Sequence, residues 1–144
     1  MATAAPVRPS STSHPVHGML AAYPLAFFTG ALGTDILYAN TADMQWANFS
    51  IWLITFGLVM GVLAAVVGIV DAVRQRGRAR RRRPWWHSVG TALMMALALV
   101  NAFIHSRDAW TSVVPTGLIL SVIVALLAVA TSWQGYSIET ETGR

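Results

Sequence analysis

Four long apolar runs constrain the fold of this 144-residue chain more than any other feature. They cover about residues 18–39, 46–73, 85–106 and 110–133. Each is long enough for an α-helix to cross the hydrocarbon core of a bilayer, which takes about 20 residues. The chain is 55% hydrophobic and only 11% charged, too few charges for a soluble domain of this size. The pattern predicts an all-α integral membrane four-helix bundle.

The apolar runs also divide the chain. Residues 1–13 are rich in Ala, Pro, Ser and Thr and are expected to form a disordered leader; residues 14–136 form the membrane domain, and residues 137–144 a short polar tail. The leader has no basic cluster and Asp35 interrupts the first run, so we expect an uncleaved first helix rather than a signal peptide. Pro15 suits the first position of that helix.

A cluster of arginines between the second and third runs sets the expected orientation. It holds seven of the ten basic residues, and the chain has no lysine. Short loops rich in arginine stay in the cytoplasm, which predicts that both termini are cytoplasmic as well. The cluster consists of Arg74, Arg76, Arg78, Arg80, Arg81, Arg82 and Arg83.

The same cluster suggests a partner. Its simplest role is to fix topology, but arginines beside membrane helices also attract anionic lipid headgroups, so we expect contact with the bilayer and with anionic lipids. We do not expect nucleic-acid binding, because the run stands alone without a recognisable nucleic-acid fold.

Polar residues recur at helical spacing on the first and third runs. Ionisable side chains within a span turn toward the bundle interior, so each polar stripe predicts how its helix is rotated. The stripes place two groups at opposite ends of the bundle. The cytoplasmic group is His14, His17, Asp71 and His87, and the outer group is Asp35, Asn101 and His105.

Small residues form one face of the second run, where Gly57, Gly61 and Gly68 recur at helical spacing. Such a face lets neighbouring helix backbones approach closely. Gly117 and Ser121 are expected to play the same packing role on the fourth helix.

Several of these residues occur together in a recognisable order. The chain opens with His14-Pro-x-His17, continues through Tyr23-Pro24 and Thr34-Asp35-x-x-Tyr38, and later carries the glycine helix and the His87–Asn101 helix. This arrangement resembles the bacterial four-helix membrane family called domain of unknown function 2231, over roughly residues 14–136. The resemblance implies a multi-pass protein of the bacterial inner membrane. It implies no established activity, although some relatives are joined to Rieske-type iron–sulfur domains.

The cytoplasmic group has two interpretations. Imidazole and carboxylate ligands suit a transition metal, and His17 with His87 could instead be the axial ligands of a b-type haem. Either cofactor predicts a redox-associated module with a redox partner. The alternative is that these residues only cap helices and hydrogen bond, with no cofactor, in a structural or accessory subunit that assembles with other copies through its glycine face.

The remaining chemistry is limited. The chain has no cysteine, no nucleophile elbow and no phosphate-binding loop, which favours a protein that is not an enzyme. Asp35 and His105 are expected to pair near the outer surface. That pair is either a charge-balanced hydrogen bond or one end of a proton path.

Overall fold

The computed structural model describes residues 15–74, 85–107 and 110–142, and the side chains of residues 16–74, 85–107 and 110–137. Across these ranges the chain forms four long helices and one short 3-10 turn. Their bounds are α1 Pro15–Thr41, α2 Met44–Arg74, α3 Trp85–His105, the 3-10 turn Trp110–Ser112, and α4 Thr116–Thr142. All four long helices are apolar and long enough to span a membrane. The prediction of an all-α four-helix membrane fold is confirmed.

Local sequence accounts for where the helices begin and end. Proline lacks an N–H and has its φ fixed near the helical value, so Pro15 suits the first position of α1. After Thr41 the chain reverses through Ala42, whose φ of 54° is left-handed. The Asp43 carboxylate then accepts a hydrogen bond from the Gln45 N–H at 2.9 Å, which caps the first turn of α2.

The fourth helix differs from the predicted run at 110–133. Residues Trp110–Ser112 form the 3-10 turn, a cis peptide bond joins Val114 to Pro115, and α4 begins only at Thr116. Its backbone then continues to Thr142, through most of the segment expected to be a polar tail. The buried side chains of Ser112 and Val113 anchor this turn inside the bundle.

The helices run in alternating directions around a ring. α1 packs most extensively against α2, α4 contacts both α1 and α3, and α2 and α3 make the least extensive contact between neighbours. An open apolar groove of about 500 Å³ lies between α2 and α3, lined by Leu58, Met95 and Leu99 among others. α1 and α3 are therefore diagonal across the bundle.

The middle of the bundle is an apolar core. Its buried members come from three helices and are Phe28, Met94, Ala98, Val124 and Ala128. The glycine face of α2 makes room for it: a Cβ on Gly57 would lie 2.5 Å from the Phe28 ring, and one on Gly61 2.5 Å from the Met95 sulfur. Gly68, nearer the other end, lies against the imidazole of His17.

Candidate functional site

Four of the buried polar residues of the described chain lie together near the C-terminal ends of α1 and α3. Asp35 is fully buried, Asn101 and Ser121 are almost so, and His105 is 7% exposed. They come from three helices: Asp35 from α1, Asn101 and His105 from α3, and Ser121 from α4. We call these four residues the buried polar network.

Hydrogen bonds join all four side chains. His105 Nε2 lies 2.9 Å from Asp35 Oδ1, and Ser121 donates its hydroxyl proton to Asp35 Oδ2 at 2.5 Å. Asn101 Nδ2 donates to the Ser121 oxygen at 2.8 Å. The Asp35–His105 bond crosses the bundle, because it joins the diagonal helices α1 and α3 that otherwise make little contact.

A fourth bond fixes the orientation of the imidazole. His105 Nδ1 lies 3.0 Å from the backbone carbonyl of Asn101, one turn earlier on α3. A carbonyl only accepts, so Nδ1 must carry a proton and donate it. The ring also packs closely on α4, since a Cβ on Gly117 would lie 2.8 Å from His105 Cε1 and 2.9 Å from the Ser112 carbonyl oxygen.

One hydrogen-bond acceptor in this network has no donor. Asn101 Oδ1 is buried and has no hydrogen-bond partner among the described residues. Asn101 and Ser121 line a narrow gap against Phe28, Ala31 and Ile54 that has no room for a water molecule. An unsatisfied buried acceptor carries a free-energy penalty, so the amide is the one incompletely bonded group of the network.

A hydroxyl pair extends the polar layer toward α2. Thr34 and Ser50 lie 2.7 Å apart, and the Ser50 hydroxyl is 3.5 Å from the Ala31 carbonyl. Ser50 is fully buried. Every helix of the bundle therefore contributes a polar side chain at this depth.

The network contains serine, histidine and aspartate, but not in the arrangement used for nucleophilic catalysis. A catalytic serine donates to the imidazole, which a carboxylate supports on its other nitrogen. Here Ser121 donates to the carboxylate instead, and the second imidazole nitrogen bonds a backbone carbonyl. The four residues of the network are also buried, which leaves no open face for a substrate.

The opposite end of the bundle separates the residues expected to form the cytoplasmic group. His17 Nδ1 donates to the Ala64 carbonyl at 3.0 Å, and its ring lies against Gly68, so it belongs to the α1–α2 interface. His87 packs against α4, with its Cε1 3.4 Å from where a Cβ on Gly135 would lie. Asp71 is half-buried on α2, three residues before the exposed Arg74.

These positions bear directly on the metal hypothesis. Among residues 15–74, 85–107 and 110–142, no three His, Cys, Asp or Glu side chains are grouped so that they could hold a metal ion. His14 lies outside the described residues, as do Arg76, Arg78, Arg80, Arg81, Arg82 and Arg83. The described ligand candidates thus lie on different helix pairs, whereas the structure brings Asp35, Asn101 and His105 together.

Sequence reasoning missed the part played by Ser121. It was assigned only to the packing face of α4, but its hydroxyl connects Asn101 to Asp35. Its position one turn after Gly117 indicated a packing face and gave no signal of a hydrogen bond. The hydroxyl pair Thr34–Ser50 was likewise not anticipated.

The fold and the buried network define an integral membrane four-helix bundle with a polar layer at one end. The model of one protein family, described as predicted membrane protein DUF2231, matches residues 13–143. The chain belongs to this family, and the resemblance found in its motifs is confirmed. No curated protein and no solved structure matches the chain significantly.

Proposed function

We propose that this protein is a structural or accessory membrane subunit. Its role as a four-helix module depends on a stable packed structure rather than on catalysis. The supporting observation is that four of its buried polar side chains bond to one another. Asp35 and His105 join the diagonal helices, and Ser121 adds α4 to the same carboxylate. Such a network fixes the rotation and depth of three helices at once.

The surface and sidedness of this module follow from its charges. We propose that the arginine-rich segment 74–83 and both termini face the cytoplasm, and that the buried polar network lies near the outer side of a bacterial inner membrane. Anionic lipids would gather at the arginines. The stacked Trp85 and Trp86, with ring centroids 3.5 Å apart, would sit at the same inner interface. The lipid-facing surface remains open for a second copy or another membrane protein.

A redox role is the second candidate, and one observation favours it. The bond from His17 Nδ1 to the Ala64 carbonyl fixes the tautomer, so any ligand bond from this ring would use Nε2. Backbone carbonyls orient many metal-bound histidines in this way. Against the candidate, the described residues offer no set of three ligands, and His17 and His87 pack on different neighbouring helices.

Spectroscopy and metal analysis separate the two candidates. We expect the purified full-length chain to show no haem absorption and no stoichiometric transition metal, and His17→Ala and His87→Ala to leave both measurements unchanged. A haem or metal that is present in the parent chain and lost in either variant would support the redox candidate and contradict the structural proposal. Tyr136→Ala is the control, since it removes an exposed side chain at the same end of the bundle.

A further inference from the structure

The hydrogen-bond pattern of the buried polar network determines how many protons it holds. His105 Nδ1 already donates to the Asn101 carbonyl. Its Nε2 faces Asp35 Oδ1 at 2.9 Å, and two unprotonated atoms at that distance would repel each other through their lone pairs. A proton must therefore lie between them, on the imidazole as an imidazolium or on the carboxyl as an acid.

We propose that Asp35 and His105 form a proton-binding site in the membrane, in which the folded protein holds one proton between Asp35 Oδ1 and His105 Nε2. The proposed proton site lies in the same buried polar network as the proposed structural function and otherwise does not depend on that function. Holding the proton makes the pair neutral overall, whereas losing it would leave a fully buried carboxylate uncompensated. A bare charge at this burial is costly.

The position of Ser121 places the proton on the His105 side of the carboxylate. Its hydroxyl accepts from Asn101 Nδ2, so its own proton is directed to Asp35 Oδ2. A proton bound to Oδ2 would require the reverse arrangement, with Ser121 donating to Asn101 Oδ1. In the structure Asn101 Nδ2, and not Oδ1, faces the Ser121 hydroxyl, so the observed pattern is the one with the proton shared by Oδ1 and Nε2.

The described surroundings of the pair contain no second buried charge. The charged or titratable residues that the structure describes at this end are Asp35, Tyr38, Asp43, His105 and Arg107. Tyr38 is buried and donates its hydroxyl to the Met44 sulfur at 3.6 Å, and Asp43 and Arg107 are exposed. α2 contributes the hydroxyl of Ser50 to this polar layer and α4 that of Ser121. Toward the other end the apolar core separates the site from His17 and His87.

The test compares the full-length chain with Asp35→Asn in lipid nanodiscs at pH 7, by nitrogen NMR of the histidine rings and infrared spectra of the carboxyl groups. Asparagine can donate to His105 Nε2 and accept from Ser121, so it keeps the bonds without the shared proton. We expect the signature of that proton, either an imidazolium at His105 or a carboxylic acid at Asp35, in the parent chain and a neutral imidazole at His105 in the variant. An identical His105 signal in the two proteins would overturn the proposal.

The parent chain alone also decides the proposal, without requiring the variant to fold. A carboxylate beside a neutral imidazole would contradict the proposal. The structural function would survive that result, because it depends on the bonds between helices and is tested by removing the carboxyl group altogether.

Discussion

At the scale of single residues, the polar interactions to which stability should be most sensitive belong to a few buried side chains. Asp35 accepts from two helices and lies at the centre of the buried polar network. Exposed ion pairs contribute little to stability, whereas removing one member of a buried pair leaves its partner uncompensated. The residue to which stability is most sensitive should therefore be Asp35, rather than any of the surface charges.

Asp35→Ala should lower the free energy of unfolding by about 3 kcal/mol, because His105 and Ser121 would be left buried without their acceptor. Asp35→Asn should cost less, since its amide can replace both bonds. Unfolding in a detergent titration measures the difference. Asp43→Asn is the control: it removes an exposed carboxylate but keeps an acceptor for the Gln45 N–H. Equal losses in Asp35→Ala and Asp43→Asn would contradict a stabilising network.

The stripes on α1 and α3 show how much of the site the sequence could predict. Asp35, Asn101 and His105 were placed inward at one end because ionisable side chains avoid lipid and recur at helical spacing. The hydroxyl of Ser121 gave no comparable signal, since serine is as ordinary on a packing face as in a hydrogen bond. Its role depends on the depth at which α4 lies beside α3, and the periodicity of the sequence does not give that depth.

At the scale of helices, close packing depends on what each glycine faces. A Cβ on Gly57 would meet the ring of Phe28, which is only 1% exposed and has little room to move. At Gly61 the obstacle is the end of the flexible Met95 side chain, which can change rotamer. The two positions look equivalent in sequence, but their surroundings make them unequal.

Gly57→Ala should destabilise the bundle by about 1–3 kcal/mol through overpacking, and Gly61→Ala should cost less. Gly33→Ala is the matched control on α1, where an added Cβ would have no heavy atom within 4 Å; alanine there should be neutral or slightly stabilising, since glycine is a poor helix former. Detergent unfolding of the three variants gives the order. A Gly33→Ala loss as large as that of Gly57→Ala would refute the packing argument.

The boundaries of α4 could be predicted in part. Ser112 and Pro115 mark the entry to the fourth helix in the sequence, and the structure begins α4 at Thr116. Hydropathy alone starts the apolar run at Trp110, because the 3-10 turn lies in the same apolar stretch, with Val113 and Ser112 buried. At the other terminus, polar residues from Ser137 onward suggested a tail, and the helical backbone continues through them to Thr142.

At the scale of the whole molecule, the contacts show that α1 and α2 run antiparallel. The end of α1 lies beside the start of α2, as the Thr34–Ser50 hydrogen bond shows. The start of α1 lies beside the end of α2, where His17 contacts Ala64. Which end faces the cytoplasm is set by the arginines, and it stays a prediction.

Single cysteines can test that orientation cleanly, because the natural chain has none. Asp43→Cys, in the α1–α2 turn, should react with a membrane-impermeant maleimide added to intact cells. Tyr136→Cys, which is exposed near the other end, should react only after the membrane is permeabilised. The reverse pattern of labelling would invert the proposed topology, and the unmodified chain serves as the background control.

The sparse packing between α2 and α3 has a consequence for assembly. Segment 75–84 connects two helical hairpins, α1–α2 and α3–α4, whose meeting surface includes the loosest seam of the bundle. The Asp35 carboxylate belongs to the first hairpin, and its two donors, His105 and Ser121, belong to the second. These bonds therefore favour the correct pairing of the two hairpins. If the hairpins insert separately into the bilayer, the Asp35 carboxylate is neutralised only when the second hairpin brings His105 and Ser121 to it.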